Sequence, residues 1–159
     1  MKRTILSIAL ALCVGCVFAQ TNAFAKLAKI EGVEHVSINK TMLKLAAKNG
    51  GDFDFDDNLA ISGMGSDMLK KMENISIYRC EEKDGAEAFG IQAGSILNGR
   101  GWEPLVVGTD EDGEKMKIYQ FKKGKNSTLA FFHEEEGESA LIVIEGKLDF
   151  KKMIEAQMK

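Results

Sequence analysis

Four groups of side chains in this sequence have the types and spacing to do chemistry. The stretch "DFDFDDN" (52 to 58) sets Asp52, Asp54 and Asp56 at the first, third and fifth positions of a calcium loop, where carboxylates can converge on a cation. The remaining positions depart from that pattern: the sixth should be glycine and is Asp57, and the twelfth should be a bidentate glutamate and is Gly63. A solvated acidic loop with Phe53 and Phe55 tucked beneath it fits better. A second carboxylate group comes from "DEDGE" (110 to 114) and "EEEGE" (134 to 138), in which Asp110, Asp112, Glu134 and Glu136 are the candidate ligands for a divalent cation. The third is Cys80 with His35 or His133 as a base, the minimum for a thiol nucleophile. No catalytic motif surrounds these three, and a lone cysteine in a strand-like run usually packs as a small hydrophobe. Finally Tyr119, Phe121 and Phe132, with Lys117, form a candidate partner surface if helices cover only the opposite face of their sheet.

The elements that must position these groups follow from periodicity. Phe24, Leu27 and Ala28 recur at helical spacing in 22 to 30, and "VEHVSI" (33 to 38) reads as a strand. "KTMLKLAAK" (40 to 48) reads as a helix capped by Asn39 and ended by Gly50 and Gly51. Met64, Met68, Leu69 and Met72 predict a further helix in "MGSDMLKKMEN" (64 to 74), "ISIYRCE" (75 to 81) a second strand, and Ala86, Phe89, Ala93, Ile96 and Leu97 a helix closed by Gly99. From Trp102 the period changes to two. "WEPLVVGT", "KMKIYQFKK", "STLAFFHEE" and "SALIVIEG", separated by charged or glycine-containing turns, predict a four-strand antiparallel meander. "LDFKKMIEAQMK" (148 to 159) predicts a C-terminal helix with Asp149 as N-cap.

The expected fold is α+β: a mainly antiparallel sheet ending in the meander, helices packed on one face, and the terminal helix. A right-handed crossover pairing 75 to 81 parallel with 103 to 109 is also plausible on connectivity. In a meander, alternate turns fall at the same end of the sheet, so the two acidic turns should be neighbours and Lys122, Lys123 and Lys125 should lie at the other end. Such polarity suits collection of divalent cations or docking of a basic partner.

The amino terminus bears on compartment. Lys2 and Arg3, an apolar stretch from Ile5 to Val17, and the small-residue pattern at Val17 and Ala19 make a secretory signal peptide over 1 to 19, cut between Ala19 and Gln20, leaving one domain over 20 to 159. Gly15 before Cys16 is the alternative, a lipobox at which Cys16 would be lipidated, although Cys13 stands where leucine is usual. Cleavage after Ala19 leaves 140 of 159 residues and removes two cations, moving net charge from -3 to -5. Cys13 and Cys16 leave with the signal, so an intrachain disulfide is excluded in the exported domain. Acidic charge without a basic stripe argues against nucleic acid. "GMGSDM" (63 to 68) lacks the third glycine of a dinucleotide loop, and GxSxG, P-loop, HExxH and mature CxxC motifs are missing, so no cofactor is expected.

The signal peptide, the short helix bearing Phe24, and the stretches "VEHVSINKTMLKLA", "MLKKMENISIYRCE" and "LIVIEGKLDFKKMI" together resemble the domain of unknown function 4252 (DUF4252) family of small exported Gram-negative proteins. The resemblance spans residues 22 to 158 and rests on apolar spacing. It implies a periplasmic or lipid-anchored protein without an assigned activity, and it carries no catalytic or ligand residues. The sequence is thus expected to encode a non-enzymatic periplasmic binding or accessory domain for an envelope protein or ligand, touching the membrane only if lipidated at Cys16. The alternatives are a Cys16-anchored signalling lipoprotein and an envelope hydrolase.

Overall fold

A computed structural model describes residues 23–49, 53–54, 60–61, 66–109 and 113–149. Helical turns from residue 23 end in a short 3-10 helix, Leu27–Lys29. There follow β1 (Val33–Asn39), α1 (Lys40–Lys48), the two-residue strands β2 (Phe53–Asp54) and β3 (Ala60–Ile61), α2 (Ser66–Leu69), β4 (Met72–Cys80), α3 (Lys83–Leu97), β5 (Trp102–Thr109), β6 (Lys115–Lys123), β7 (Asn126–Glu135) and β8 (Glu138–Gly146). Six strands form one sheet in the order β1-β4-β8-β7-β6-β5, antiparallel at every pairing. β2 and β3 pair separately.

Local chemistry accounts for the boundaries. The Asn39 side chain accepts hydrogen bonds from the backbone N–H groups of Thr41 and Met42 at 3.0 and 3.1 Å, satisfying donors the first turn of α1 would leave unpaired. Gly124 and Gly137 take positive φ (62° and 86°) in the tight β6–β7 and β7–β8 turns, a conformation that other residues resist. The edge strand β5 carries Pro104, whose missing N–H is tolerable there, and a register irregularity between Pro104 and Val106.

Three expectations are corrected. Helices cover both faces of the sheet. On one face α3 and Phe24 and Leu27 pack on Tyr78, Cys80, Tyr119, Ala130, Phe132, Leu141 and Val143. On the other, α1 (Leu43, Ala46, Ala47) and Leu69 join Ile75, Ile77, Leu129 and Ile144. The physical reason is that β4 and β8 are apolar on both sides, like the near-continuous runs of strands buried on two faces. The crossover is not parallel: β4 sits between β1 and β8, whereas β5 lies at the far edge. The helix predicted over 64 to 74 ends at Leu69, its described part being Ser66–Leu69, because Met72 already belongs to β4, where it is fully buried; residues 64 and 65 lie outside the described residues. The C-terminal helix over 148 to 159 falls mostly outside the described residues, as do the signal segment, Ala19, Gln20 and Cys16. At its start, Leu148 is buried and its carbonyl accepts a hydrogen bond from Ser127 Oγ. Among the described residues no helix is long and apolar enough to cross a membrane.

Candidate functional site

Strand register sorts the charged residues into two ends of the sheet. At one end Lys115 pairs with Glu134, Glu134 with Ser139 and Glu135 with Glu138. At the other, Lys122 pairs with Ser127, and Ser127 with Gly146. Strands of this length separate the two ends by roughly 30 Å.

At the acidic end, alternation along β7 puts His133 and Glu135 on the same face, and Glu114 stands just before the strand residue Lys115. His133 Nε2 lies 3.4 Å from Glu114 Oε2, and one potential ligand atom from each of Glu114, His133 and Glu135 falls within 4.8 Å of the others. His133 and Glu114 are half-buried and Glu135 is exposed, so a cation held there would keep open positions for water. One imidazole and two carboxylates suit zinc. Calcium, which takes six to eight oxygens, fits poorly.

The structure redistributes the candidates expected from sequence. Glu134 lies on the opposite face of β7 from His133, with Oε2 3.9 Å from Lys117 Nζ. Glu136 is exposed in the β7–β8 turn, while Asp110 and Asp112 lie outside the described residues. His133 was foreseeable as a ligand from the alternation His133, Glu135, yet composition draws the eye to the acidic turn instead. Tyr119 and Phe132 are 7% and 2% exposed and belong to the core beneath α3, with Lys117 Nζ 5.8 Å from the centroid of the Phe132 ring. Phe121 is half-buried against Trp102. The aromatic partner surface is therefore corrected: α3 covers that face.

Cys80 is fully buried, its Sγ 3.7 Å from the carbonyl oxygen of Glu82. Its register partner Ser139 pairs in turn with Glu134, so Cys80 shares the face opposite His133. His35 is occupied otherwise, stacked on Tyr78 with ring centroids 4.4 Å apart and planes 10° from parallel. The thiol and His133 are not brought together.

One polar cluster escaped sequence reasoning. At the basic end of the α3 face, Ser37 Oγ donates to Asn74 Oδ1 (3.1 Å), and Asn74 Nδ2 donates to Ser76 Oγ (2.9 Å) and Glu145 Oε2 (3.4 Å). Burial raises the Glu145 pKa above the ordinary carboxylate range, the Asn74 hydrogen bond works against this, and the charge of Glu73 adds to it. Burial likewise raises Tyr78, opposed by a Ser76 hydrogen bond and reinforced by Glu145. Since the folded form of Glu145 holds its proton more tightly than the unfolded chain, its favourable contribution is complete below the unfolded pKa and is lost as pH rises through the raised folded value. Glu145→Gln, which keeps the acceptor for Asn74, is expected to raise the melting temperature at pH 7 and to flatten its decline between mildly acidic and neutral pH. Parallel pH profiles of the two proteins, offset by a constant, would refute this.

The arrangement defines a class: a small α+β domain built on a six-stranded antiparallel sheet, sheathed by helices on both faces and charged oppositely at its two ends. Over residues 27–156 the chain matches the family described as "Domain of unknown function (DUF4252)", and it belongs to that family. No curated protein and no solved structure matches it.

Proposed function

We propose that this chain is an exported, non-enzymatic binding domain of the cell envelope whose acidic sheet end takes a divalent cation. The observation supporting it is the convergence of Glu114, His133 and Glu135 within 4.8 Å. Two carboxylates close together repel, and a cation relieves that repulsion while using the imidazole as a third donor. The separation of Cys80 and His133 onto opposite faces disfavours the thiol hydrolase alternative. Soluble release after Ala19 and anchoring at Cys16 both accommodate this reading. Intact mass of the protein from fractionated cells separates a chain beginning at Gln20 from one beginning at a lipidated Cys16.

The cation reading is tested by zinc titration. At a hundred times the dissociation constant, bound cation adds about 2.7 kcal/mol to stability, a rise in melting temperature of roughly 10 °C for a domain of this size. His133→Ala and Glu135→Gln are expected to abolish that rise. A melting temperature and His133 NMR signals indifferent to zinc would eliminate the site, and a rise that survives both variants would place the cation elsewhere.

A further inference from the structure

The acidic end has a counterpart that the cation reading leaves unused. At the other end, Lys122 and Lys123 close β6, Lys125 occupies the β6–β7 turn, and Lys147 follows β8. The Lys147 backbone N–H donates to the carbonyl of Lys71 at 3.0 Å, which brings the α2–β4 turn to the same place. Arg100 joins them from the α3–β5 turn, because Gly101 packs against Phe121, the residue before Lys122. All six cations are exposed. The carboxylates at this end are Asp149 beside Lys147, the half-buried Glu145, Glu103 beside Trp102, Asp67, which pairs with Lys70 at 3.3 Å, and Glu73, which pairs with Lys40 at 3.3 Å. A shallow depression of about 300 Å³ opens among Lys122, Lys125, Lys147 and Asp149, floored by Ser127 and Leu148. A protein with net charge -3 thus gathers cations at one end of its sheet.

The amino-terminal segment arrives at this same end. Phe24 lies edge-on to Trp102 with centroids 5.7 Å apart, Trp102 contacts Phe121, and Trp102 and Phe121 are register partners one residue from Lys122. Phe24 therefore lies at the basic end of the sheet, and the acidic site lies about 30 Å away along the strands.

We propose that the basic sheet end, Lys122, Lys123, Lys125 and Lys147 with Lys71 and Arg100, docks on an anionic phospholipid surface and holds the acidic site facing away from the membrane. Several lysines on one surface act together on a negatively charged bilayer, each contributing independently while it lies within a Debye length, about 10 Å at 0.1 M salt. The opposite end, carrying Glu114, Glu134, Glu135, Glu136 and Glu138, is repelled by the same surface, so charge sets orientation as well as affinity. This proposal concerns a different surface from the cation site and does not depend on it.

The test is co-sedimentation of the processed protein, as recovered from cells, with vesicles of phosphatidylcholine alone and vesicles containing 30% phosphatidylglycerol. Partitioning is expected to favour the anionic vesicles and to fall steeply between 20 and 200 mM salt. The triple variant Lys122→Ala, Lys125→Ala, Lys147→Ala is expected to lose about a hundredfold of that preference. Glu87→Gln, exposed on α3 beside Gly137 at the far end, should keep it. Circular dichroism and melting temperature confirm that the exposed substitutions leave the fold intact. Equal partitioning to neutral and anionic vesicles would overturn the proposal, as would a triple variant that binds as the parent does. A lipidated chain binds both vesicle types through its acyl groups, and the salt-dependent difference between them still reads the lysines. Binding that 100 mM inorganic phosphate abolishes at constant ionic strength would assign the depression to a free phosphate ligand and overturn docking on the bilayer.

Discussion

Replacing Phe89 with alanine is expected to lower the unfolding free energy by about 4 kcal/mol. Phe89 sits at the middle of α3, with no exposed surface, where Ala86, Ala93 and Leu97 continue the buried stripe at helical spacing. Against it lie the sheet residues Tyr78, Cys80, Phe132, Leu141 and Val143. Truncation loses the transfer free energy of a benzyl group, about 2–3 kcal/mol, and leaves a cavity that two ordered layers cannot collapse to fill. Urea denaturation should show a lower midpoint at an unchanged slope, because the surface exposed on unfolding hardly changes. Since domains of this size are stable by only 5–15 kcal/mol, the loss removes a quarter or more of the total stability. A loss below 1 kcal/mol would mean that α3 is not held against the sheet as described. Ile91, on the outer side of α3 and 67% exposed, provides the contrast, for Ile91→Ala should change stability by under 0.5 kcal/mol.

Much of this architecture was legible because short-range rules acted alone. Asn39 caps α1 where its side chain required it, and the stripe of α3 could be read from its period. The strands from Trp102 onward showed their alternation plainly, since each hairpin turn is short and glycine-bearing. Strand order was not legible: β1 and β5 are the two edges, yet nothing local distinguishes an edge from a centre except Pro104 and the polar alternation. Which face a helix covers also depends on long-range pairing. Tyr119 and Phe132 could equally have formed a surface, and α3 crossing above them made them core. The same limit hid the cation donors. Glu134 and Glu135 are neighbours in sequence but point to opposite faces, and only the pairing of β6 with β7 brings Glu114 to His133. The Asn74, Ser76 and Glu145 cluster joins strands 71 residues apart, beyond any pattern of local spacing.

Alkylation of Cys80 in the native protein is expected to run at least a thousandfold slower than in the unfolded chain. The thiol has no exposed surface and faces the carbonyl of Glu82. The first turn of α3 closes over it: a Cβ built on Gly85 would lie 2.7 Å from Cys80 Sγ and 2.6 Å from the carbonyl oxygen of Glu31. A reagent must therefore wait for α3 to lift from the sheet, an opening governed by most of the stability of the domain. Gly85→Ala drives a methyl group into that backbone contact and should destabilise by about 2–3 kcal/mol, which accelerates alkylation roughly thirty- to a hundredfold by raising the open population. Modification is read at Cys80 by peptide mass, so Cys13 and Cys16 do not interfere if retained. The outcome decides between classes of function as well as between packings. A nucleophilic thiol must be ionised and reachable, so a Cys80 that alkylates within tenfold of the unfolded rate would contradict the closed α3 turn and restore the hydrolase reading. Slow modification that Gly85→Ala speeds up would instead establish the thiol as a packing element held beneath the first turn of α3.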